Sequence, residues 1–516
     1  MKKITGIVAA GHEATAQAAV EMLQAGGNAF DAALGAMLAA CVAEPVLASP
    51  GGGGFLTAQP AGGEPLVYDF FAHTPRQRHP AEAIDFSPIV ADFGTASQVF
   101  HIGMGSMATP GFVRGLFDIQ RERCRLPMDL LMAPARQLAS EGVEINPFQD
   151  LIARIVSPIL KATPQALALH ASPTDPGRLI GLGENHRLPE LGDFFGALEA
   201  EGAELFYQGE VARQLVEDSR TQGGQLRRED LQDYRLIRRK PLIQSYRNAR
   251  LITNPLPSLG GSLIAFSLGL MASEHFTPAQ LGSERHLRHL ARVMRLTQLI
   301  RSDEQAPMEQ ILDPDVARRY RRRLRQGGLS RRGTTQISVA DSEGNLASLT
   351  LSNGEGCGYV IPQTGVMMNN MLGEEDLNPG GFHRWPADQR LASMMAPSLV
   401  LDSNGEAIVI GSGGSNRIRS AILQVVSHLL DFDLSLSEAV SQPRLHFEEQ
   451  LLSLEPGIAE SVYHALLDEF PEQQRWQEKS LFFGGVHTVS RHADGRLQGM
   501  GDERRGGVAL LSGNAS

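Results

Sequence analysis

Two alternating runs that meet at a turn constrain this chain more than any other feature. Residues 335–341 (TQISVAD) set Ile337 and Val339 on one face. Residues 346–352 (LASLTLS) set Ala347, Leu349 and Leu351 against Ser348, Thr350 and Ser352. Ser342-Glu343-Gly344-Asn345 between them is a turn signal, so the period of two predicts a β-hairpin with a four-residue loop. With Asp341 opposite Leu346, Thr335 faces Ser352 and Thr334 faces Asn353. Hydroxyls and an amide then collect at the hairpin's open end.

Hydroxyls at a strand end are ordinarily a polar rim. A threonine that becomes a new N-terminus is different, because it carries its own base. Its α-amine has a reference pKa of about 7.7–8.0, so much of it is neutral near working pH. It can take the Oγ proton directly or through one water and turn the side chain into a nucleophile. Cutting between Gly333 and Thr334 would create that amine, and Gly333 has no side chain to keep Thr334 Oγ from its carbonyl.

Two other segments carry matching chemistry. In GSGGSNRI, residues 411–418, Ser415 or Asn416 can cap a helix whose apolar face is Ile418, Ala421, Ile422, Val425 and Val426. The N–H groups of Gly413, Gly414 and Ser415 would then point at a helix N-terminus, an anion site suited to a tetrahedral oxyanion. In MMNNMLGEED, residues 367–376, Glu374, Glu375 and Asp376 can hold an ammonium, although such a triplet is more often solvated loop.

The rest of the chain sets bounds. Its 516 residues leave ample room for a buried core. A net charge of −11 argues against a nucleic-acid binder. Cys41, Cys124 and Cys357 form neither a disulfide framework nor a zinc pattern, and no metal is expected. His286 and His289 form H-x-x-H without a carboxylate partner and read as a solvated helix face. The run 29–43 is too short to span a bilayer, and MKKITGIVAA meets His12 and Glu13 too early for a signal peptide, so a cytoplasmic protein is expected. Helices are expected over 13–24 and from about 28 to 44, a strand over 64–71, mostly helix over 110–300 and a loop over 254–261. GGGGF at 51–55 lacks the spacing of a phosphate cradle and reads as backbone crossing close to backbone. Eight arginines between Arg318 and Arg332 read as a solvated helix end and linker.

The chain resembles the gamma-glutamyltranspeptidase family of N-terminal-nucleophile hydrolases. The carriers are GIVAA…EMLQAGGNAFDAA near the start, GGGGF, ATPG at 108–111, LFYQGEVA at 205–212, GG…REDLQDY at 223–234, PLPSLGG at 255–261, TTQISVADSEGN at 334–345, Asn369-Asn370 and GSGGSNRI…LQ at 411–424. The resemblance implies an α+β fold, an αββα four-layer sandwich of two packed antiparallel sheets. It implies self-cleavage into a large segment, 1–333, and a small catalytic one, 334–516, that stay together as an intertwined heterodimer. Thr334 matches the nucleophile and Ser352 the hydroxyl that supports it. Gly414 and Ser415 match the oxyanion hole, with Gly413 adjacent. Asn353, Glu374 and Ser393 match positions that grip a glutamyl group. The implied activity is transfer of a γ-glutamyl group from glutathione-like amides to water or an amine, through an acyl-enzyme and with no cofactor. The expected partner is a small-molecule amide, not nucleic acid or membrane.

Four positions depart from the family's pattern. Phe71 stands where a carboxylate-binding arginine is usual, Met394 where a second serine follows Ser393, Met371 where a glutamine serves the ammonium pocket, and Gln336 two residues after the nucleophile where histidine is usual. Losing a bidentate arginine leaves a substrate carboxylate uncompensated. Either Arg76 or Arg390 replaces it, or the acyl group is less polar than γ-glutamyl. The alternatives are therefore an amide acylase with another donor, or an uncleaved homologue without catalysis.

Overall fold

The computed structural model describes residues 5–92, 97–301, 308, 311–312, 334–378 and 381–513. Gly333 and the arginine-rich stretch 318–332, both singled out above, lie outside the described residues.

Two antiparallel sheets form the centre. Their strands, in chain order, are β1 (Gly6–Ala10), β2 (Gly53–Gln59), β3 (Leu66–Phe70), β4 (Ile237–Arg239), β5 (Leu242–Tyr246), β6 (Ala249–Thr253), β7 (Thr335–Asp341), β8 (Leu346–Ser352), β9 (Ser398–Asp402), β10 (Ala407–Gly413), β11 (Gly485–Arg491), β12 (Leu497–Met500) and β13 (Val508–Leu511). The first sheet runs β13-β1-β7-β8-β2-β3-β4 and the second β12-β11-β10-β9-β6-β5. Between them lies a layer of small and branched side chains including Ile7, Ala9, Ala340, Leu346, Leu399, Val409 and Val489. Helices cover both outer faces, as α1 (Glu13–Gln24) and α2 (Ala29–Ala43) do on the first sheet and α3 (Leu259–Met271) and α4 (Arg417–Phe432) on the second. This is the expected αββα sandwich. Helix α2 is buried along its whole length, as its near-absence of polar residues requires.

Three expectations change. First, the hairpin register is shifted by one residue: Ala340 faces Leu346 and Thr335 faces Leu351, not Ser352. The loop is shorter than four residues because Asp341 pairs with Asn345, its N–H donating to the Asn345 carbonyl at 3.1 Å. Asp341 Oδ1 also accepts from the N–H groups of Glu343, Gly344 and Asn345, and Gly344 adopts φ 100°, a three-residue loop closed through a left-handed glycine. Continued by one pair, the observed register sets Thr334 opposite Ser352, where the expectation had Asn353.

Second, the loop expected over 254–261 ends early, because α3 starts at Leu259. The Ser393 carbonyl accepts from the N–H groups of Leu259 and Gly260 at 2.8 and 3.1 Å, which satisfies two amides of the first turn. Third, the largely helical middle also contains β4, β5 and β6, of which β4 joins the first sheet and β5 and β6 the second.

The glycine run is a close backbone crossing, as expected. A Cβ at Gly52 would stand 2.4 Å from the Ser352 carbonyl oxygen, and one at Gly54 2.3 Å from that of Thr350. Among the described residues no helix is long and apolar enough to cross a membrane.

Candidate active site

Strand alternation separates the two threonines at the start of β7. Thr335 turns toward the end of α2, where its Oγ1 donates to Glu44 Oε2 at 2.6 Å; Thr15 Oγ1 donates to the other oxygen at 2.8 Å. Glu44 is buried, and that burial raises its carboxyl pKa above the ordinary glutamate value. Thr334 lines a narrow cavity with Ser352, Glu374, Asp376, Ser393 and Ser415. Its backbone is held from two sides. Arg505 Nη1 donates to the Thr334 carbonyl at 3.3 Å, and a Cβ at Gly413 would lie 2.1 Å from the same oxygen.

The turn from β10 into α4 differs from expectation. Neither Ser415 nor Asn416 caps the helix through its side chain. Ser415 has φ 51° and its Oγ donates to Asp376 Oδ2 at 2.7 Å, while Asn416 Nδ2 donates to Glu448 Oε1 at 2.7 Å. Gly414 has φ 117°, so two successive residues hold left-handed backbone where the chain passes Thr334. Among the described residues no backbone carbonyl accepts the N–H of Gly414 or Ser415. The helix N-terminus favours the Asp376 carboxylate beside it.

The acidic triplet divides. Glu374 and Asp376 are buried at the cavity and Glu375 is exposed. Asn353 does not reach the cavity wall. It is buried behind it, its amide donating to the Met367 carbonyl at 3.3 Å. Ser393 does reach it, with its Oγ accepting from the Met395 N–H at 3.1 Å. Gln336 is spent between the sheets on Thr350, Ser338 and Ser348.

The remaining lining is apolar: Phe71, Met371, Leu377, Met394, Met395 and Ile418. Phe71 stacks near Phe55, ring centres 5.4 Å apart. Neither arginine named as a replacement lines the cavity. Arg390 lies beneath Phe71, donating to the Phe71 carbonyl and the Tyr234 hydroxyl, and to the Arg235 carbonyl at 2.6 Å. Its Nε stands 3.4 Å from Asp69. Arg76 pairs with Asp233 at the surface, at 2.8 Å.

Sequence reasoning missed Glu44 and Arg505. Glu44 is the one charge after a long uncharged helical stretch, which was a usable signal. Arg505 sits in GDERRGG, which reads as surface. His286 also departs from expectation: it is buried against Phe276, His428 and Phe432, and burial pushes its ring down to about 3. Among the described residues no group of three or more His, Cys, Asp or Glu is arranged to hold a metal.

Two facing antiparallel sheets between helical layers, with a threonine at a strand start inside the cleft, define the N-terminal-nucleophile hydrolase class of fold. Within that class the chain belongs to the gamma-glutamyltranspeptidase family, whose profile matches residues 15–512. It is 29% identical to an acylase ACY 1 proenzyme of Pseudomonas sp. (strain V22), over 99% of this chain and 94% of that one. It is 27% identical to a glutathione hydrolase proenzyme of Pseudomonas aeruginosa, over 98% and 94%. Among solved structures it superimposes on a cephalosporin acylase from Bacillus halodurans with a TM-score of 0.85, at 23% identity, over 98% of this chain and 96% of that one.

Proposed function

We propose that this protein is a self-processing threonine amidase. Scission of the Gly333–Thr334 bond leaves segments 1–333 and 334–516 as an intertwined heterodimer and frees the α-amine of Thr334. That amine takes the Oγ proton, and Oγ attacks the substrate's amide carbonyl. The N–H groups of Gly414 and Ser415, with Gly413 adjacent, receive the oxyanion, and Ser352 orients Oγ. The amine product leaves with the proton, and water or a second amine resolves the acyl-enzyme. No cofactor takes part.

The observation that carries this reading is the placing of Thr334. It stands immediately before β7, in a cavity shared with Ser352 and Ser415. The names of the relatives, proenzymes of an acylase and of a glutathione hydrolase, support it.

Two donor classes remain, γ-glutamyl amides and other acyl amides. The apolar wall of Phe71, Met371 and Met394, with Arg76 and Arg390 held elsewhere, favours the second. End-sequencing of the purified protein tests the mechanism. Two pieces of about 36 and 20 kDa are expected from the 55.9 kDa chain, by proportional length, with the smaller beginning at Thr334. Thr334→Ala should stay whole and inactive. Turnover by that variant would remove the mechanism.

A further inference from the structure

The turn that carries the proposed oxyanion donors is braced from behind. Gly414 and Ser415 both hold left-handed backbone, at φ 117° and 51°, and a serine is strained there. Two side-chain bonds hold it in place. One stays in the cavity, where Ser415 Oγ donates to Asp376 Oδ2 at 2.7 Å. The other leaves it, as Asn416 Nδ2 donates to Glu448 Oε1 at 2.7 Å.

Glu448 stays outside the cavity lining. It ends a strand, Leu445–Glu448, whose alternation sends Leu445 and Phe447 into the core and His446 and Glu448 toward α4. Asn416 and Ser420 stand four residues apart on α4, about 6 Å along its axis. His446 and Glu448 stand two apart on the strand, about 6.5 Å. The spacings match, so the two pairs bond side by side. His446 Nδ1 lies 2.8 Å from Ser420 Oγ, and its Nε2 lies 3.2 Å from Glu448 Oε2. None of the four residues is more than 3% exposed. Glu448 is held below the ordinary glutamate value: burial acts against this, and His446, Arg417 and Arg419 outweigh it. An ionised carboxylate can only accept, so it fixes which end of the Asn416 amide faces it.

We infer that Glu448 is a positioning residue for the oxyanion site, acting through Asn416, with His446 and Ser420 holding its carboxylate in place. This rests on the threonine amidase reading above. An oxyanion donor accelerates the reaction only where it meets the charge that develops in the transition state. Releasing Asn416 lets Ser415 relax its strained backbone and swings the N–H away from that position. The cavity walls that bind substrate stay where they are. The loss therefore falls on kcat and spares KM.

p-Nitrophenyl acetate is the probe, because an acetyl group makes no demand on the donor pocket. Thr334 Oγ bonds to the acetyl carbon, p-nitrophenolate leaves, and the α-amine holds the Oγ proton until water releases acetate. Rates are taken over a Thr334→Ala blank, on protein whose small fragment has been sequenced first. Glu448→Leu, which has no acceptor, should lower kcat at least tenfold and move KM less than twofold. Glu448→Gln still accepts from Asn416 and should stay within about threefold of wild type. Asn416→Ala should lose as much as Glu448→Leu, and the double variant no more than either alone. A Glu448→Leu enzyme at wild-type kcat, a loss confined to KM, an equal loss in Glu448→Gln, or losses that multiply in the double variant overturns the inference. If Glu448→Leu does not accumulate as folded, cut protein, Asn416→Ala decides: a tenfold lower kcat at unchanged KM supports the inference and a wild-type kcat overturns it. Cut wild type that is no faster than the blank removes the amidase reading itself, and this inference with it.

Discussion

Arg505 donates from Nη1 to the carbonyl oxygen of Thr334 at 3.3 Å, so a buried guanidinium is hydrogen-bonded to an atom three bonds from the proposed catalytic amine. Burial pushes Arg505 down to about 10, against the pull of Glu355, Asp502 and Glu44, and it stays charged at neutral pH. A cation so close disfavours protonation of the amine and keeps it a free base at lower pH. Arg505→Gln should therefore move the acidic limb of the kcat/KM profile up by about one pH unit. Arg505→Lys, which keeps the charge, should move it less. A limb that stays put in the Gln variant would leave Arg505 a purely structural role.

The neighbouring carboxyl gives a stability test. Glu44 is buried, and burial raises its folded-state pKa, opposed by Thr335, Thr15 and Arg505. In the unfolded chain it ionises near the ordinary value of about 4.3. As pH rises past that value the unfolded state loses its proton first, so Glu44's contribution to stability is lost as pH climbs through the raised folded value. Melting curves from pH 4 to 8 should show wild type losing ground to Glu44→Gln as pH rises. A gap that widens in favour of wild type would reverse the assignment.

How far the sequence carried these conclusions depended on the range of each signal. The buried helix Ala29–Ala43 and the hairpin are legible from local pattern, whereas the sandwich and the grouping of Glu374 and Ser393 with Thr334 follow from the family resemblance. The hairpin register was misjudged by one residue because Asp341 closes the loop through its own side chain, a local bond that alternation does not report. Ser415 or Asn416 is expected to cap the helix, but the Ser415 hydroxyl goes to Asp376, 39 positions away in the chain, and the Asn416 amide to Glu448. Glu44 ends helix α2, which packs on the hairpin's sheet, and Arg505 lies in the turn just before β13, so both meet Thr334 and Thr335 through tertiary packing that no spacing within one segment encodes.

Glycines in two environments should respond with opposite sign. A Cβ at Gly54 would stand 2.3 Å from the Thr350 carbonyl oxygen, a backbone atom that cannot yield as a flexible side-chain end can, and within 3.0 and 3.2 Å of Leu351 and Phe70 side-chain carbons. Gly54→Ala should cost about 1–3 kcal/mol, as overpacking does. Gly269 lies within α3 with nothing inside 4 Å of its added Cβ. Gly269→Ala should stabilise by about 0.5–1 kcal/mol through helix propensity. Denaturant midpoints of both variants decide it, and a neutral Gly54→Ala would contradict the tight crossing beneath Ser352.

Arg390 should prove structural, not a substrate clamp. Its side chain and that of Asp69 are 4% and 0% exposed, and it ties the Phe71 carbonyl, Tyr234 and Arg235 together. Removing it leaves Asp69 with Arg239 at 2.8 Å but strips the Phe71 carbonyl and the Tyr234 hydroxyl of a buried donor, which should cost about 1–3 kcal/mol. Arg390→Ala is expected to lower the melting temperature sharply, with Arg390→Lys recovering only part because the forked donor geometry is lost. If instead Arg390→Ala melts normally and raises KM selectively for carboxylate-bearing donors, this arginine reaches the substrate after all.

The strand order predicts how the two proposed fragments behave after scission. β1, from the large segment, lies between β7 and β13 of the small one, and β2 pairs along the whole of β8 from Leu346–Gln59 to Ser352–Gly53. In the second sheet β6 pairs with β9. Separating the pieces would expose the hydrogen-bonding edges of both sheets together with the apolar layer between them, so dissociation amounts to unfolding. Cut protein should elute from a sizing column as one species in native buffer, show two bands on a denaturing gel, and melt in a single transition. Fragments that part in native buffer without loss of secondary structure would show that the sheets do not depend on this interleaving.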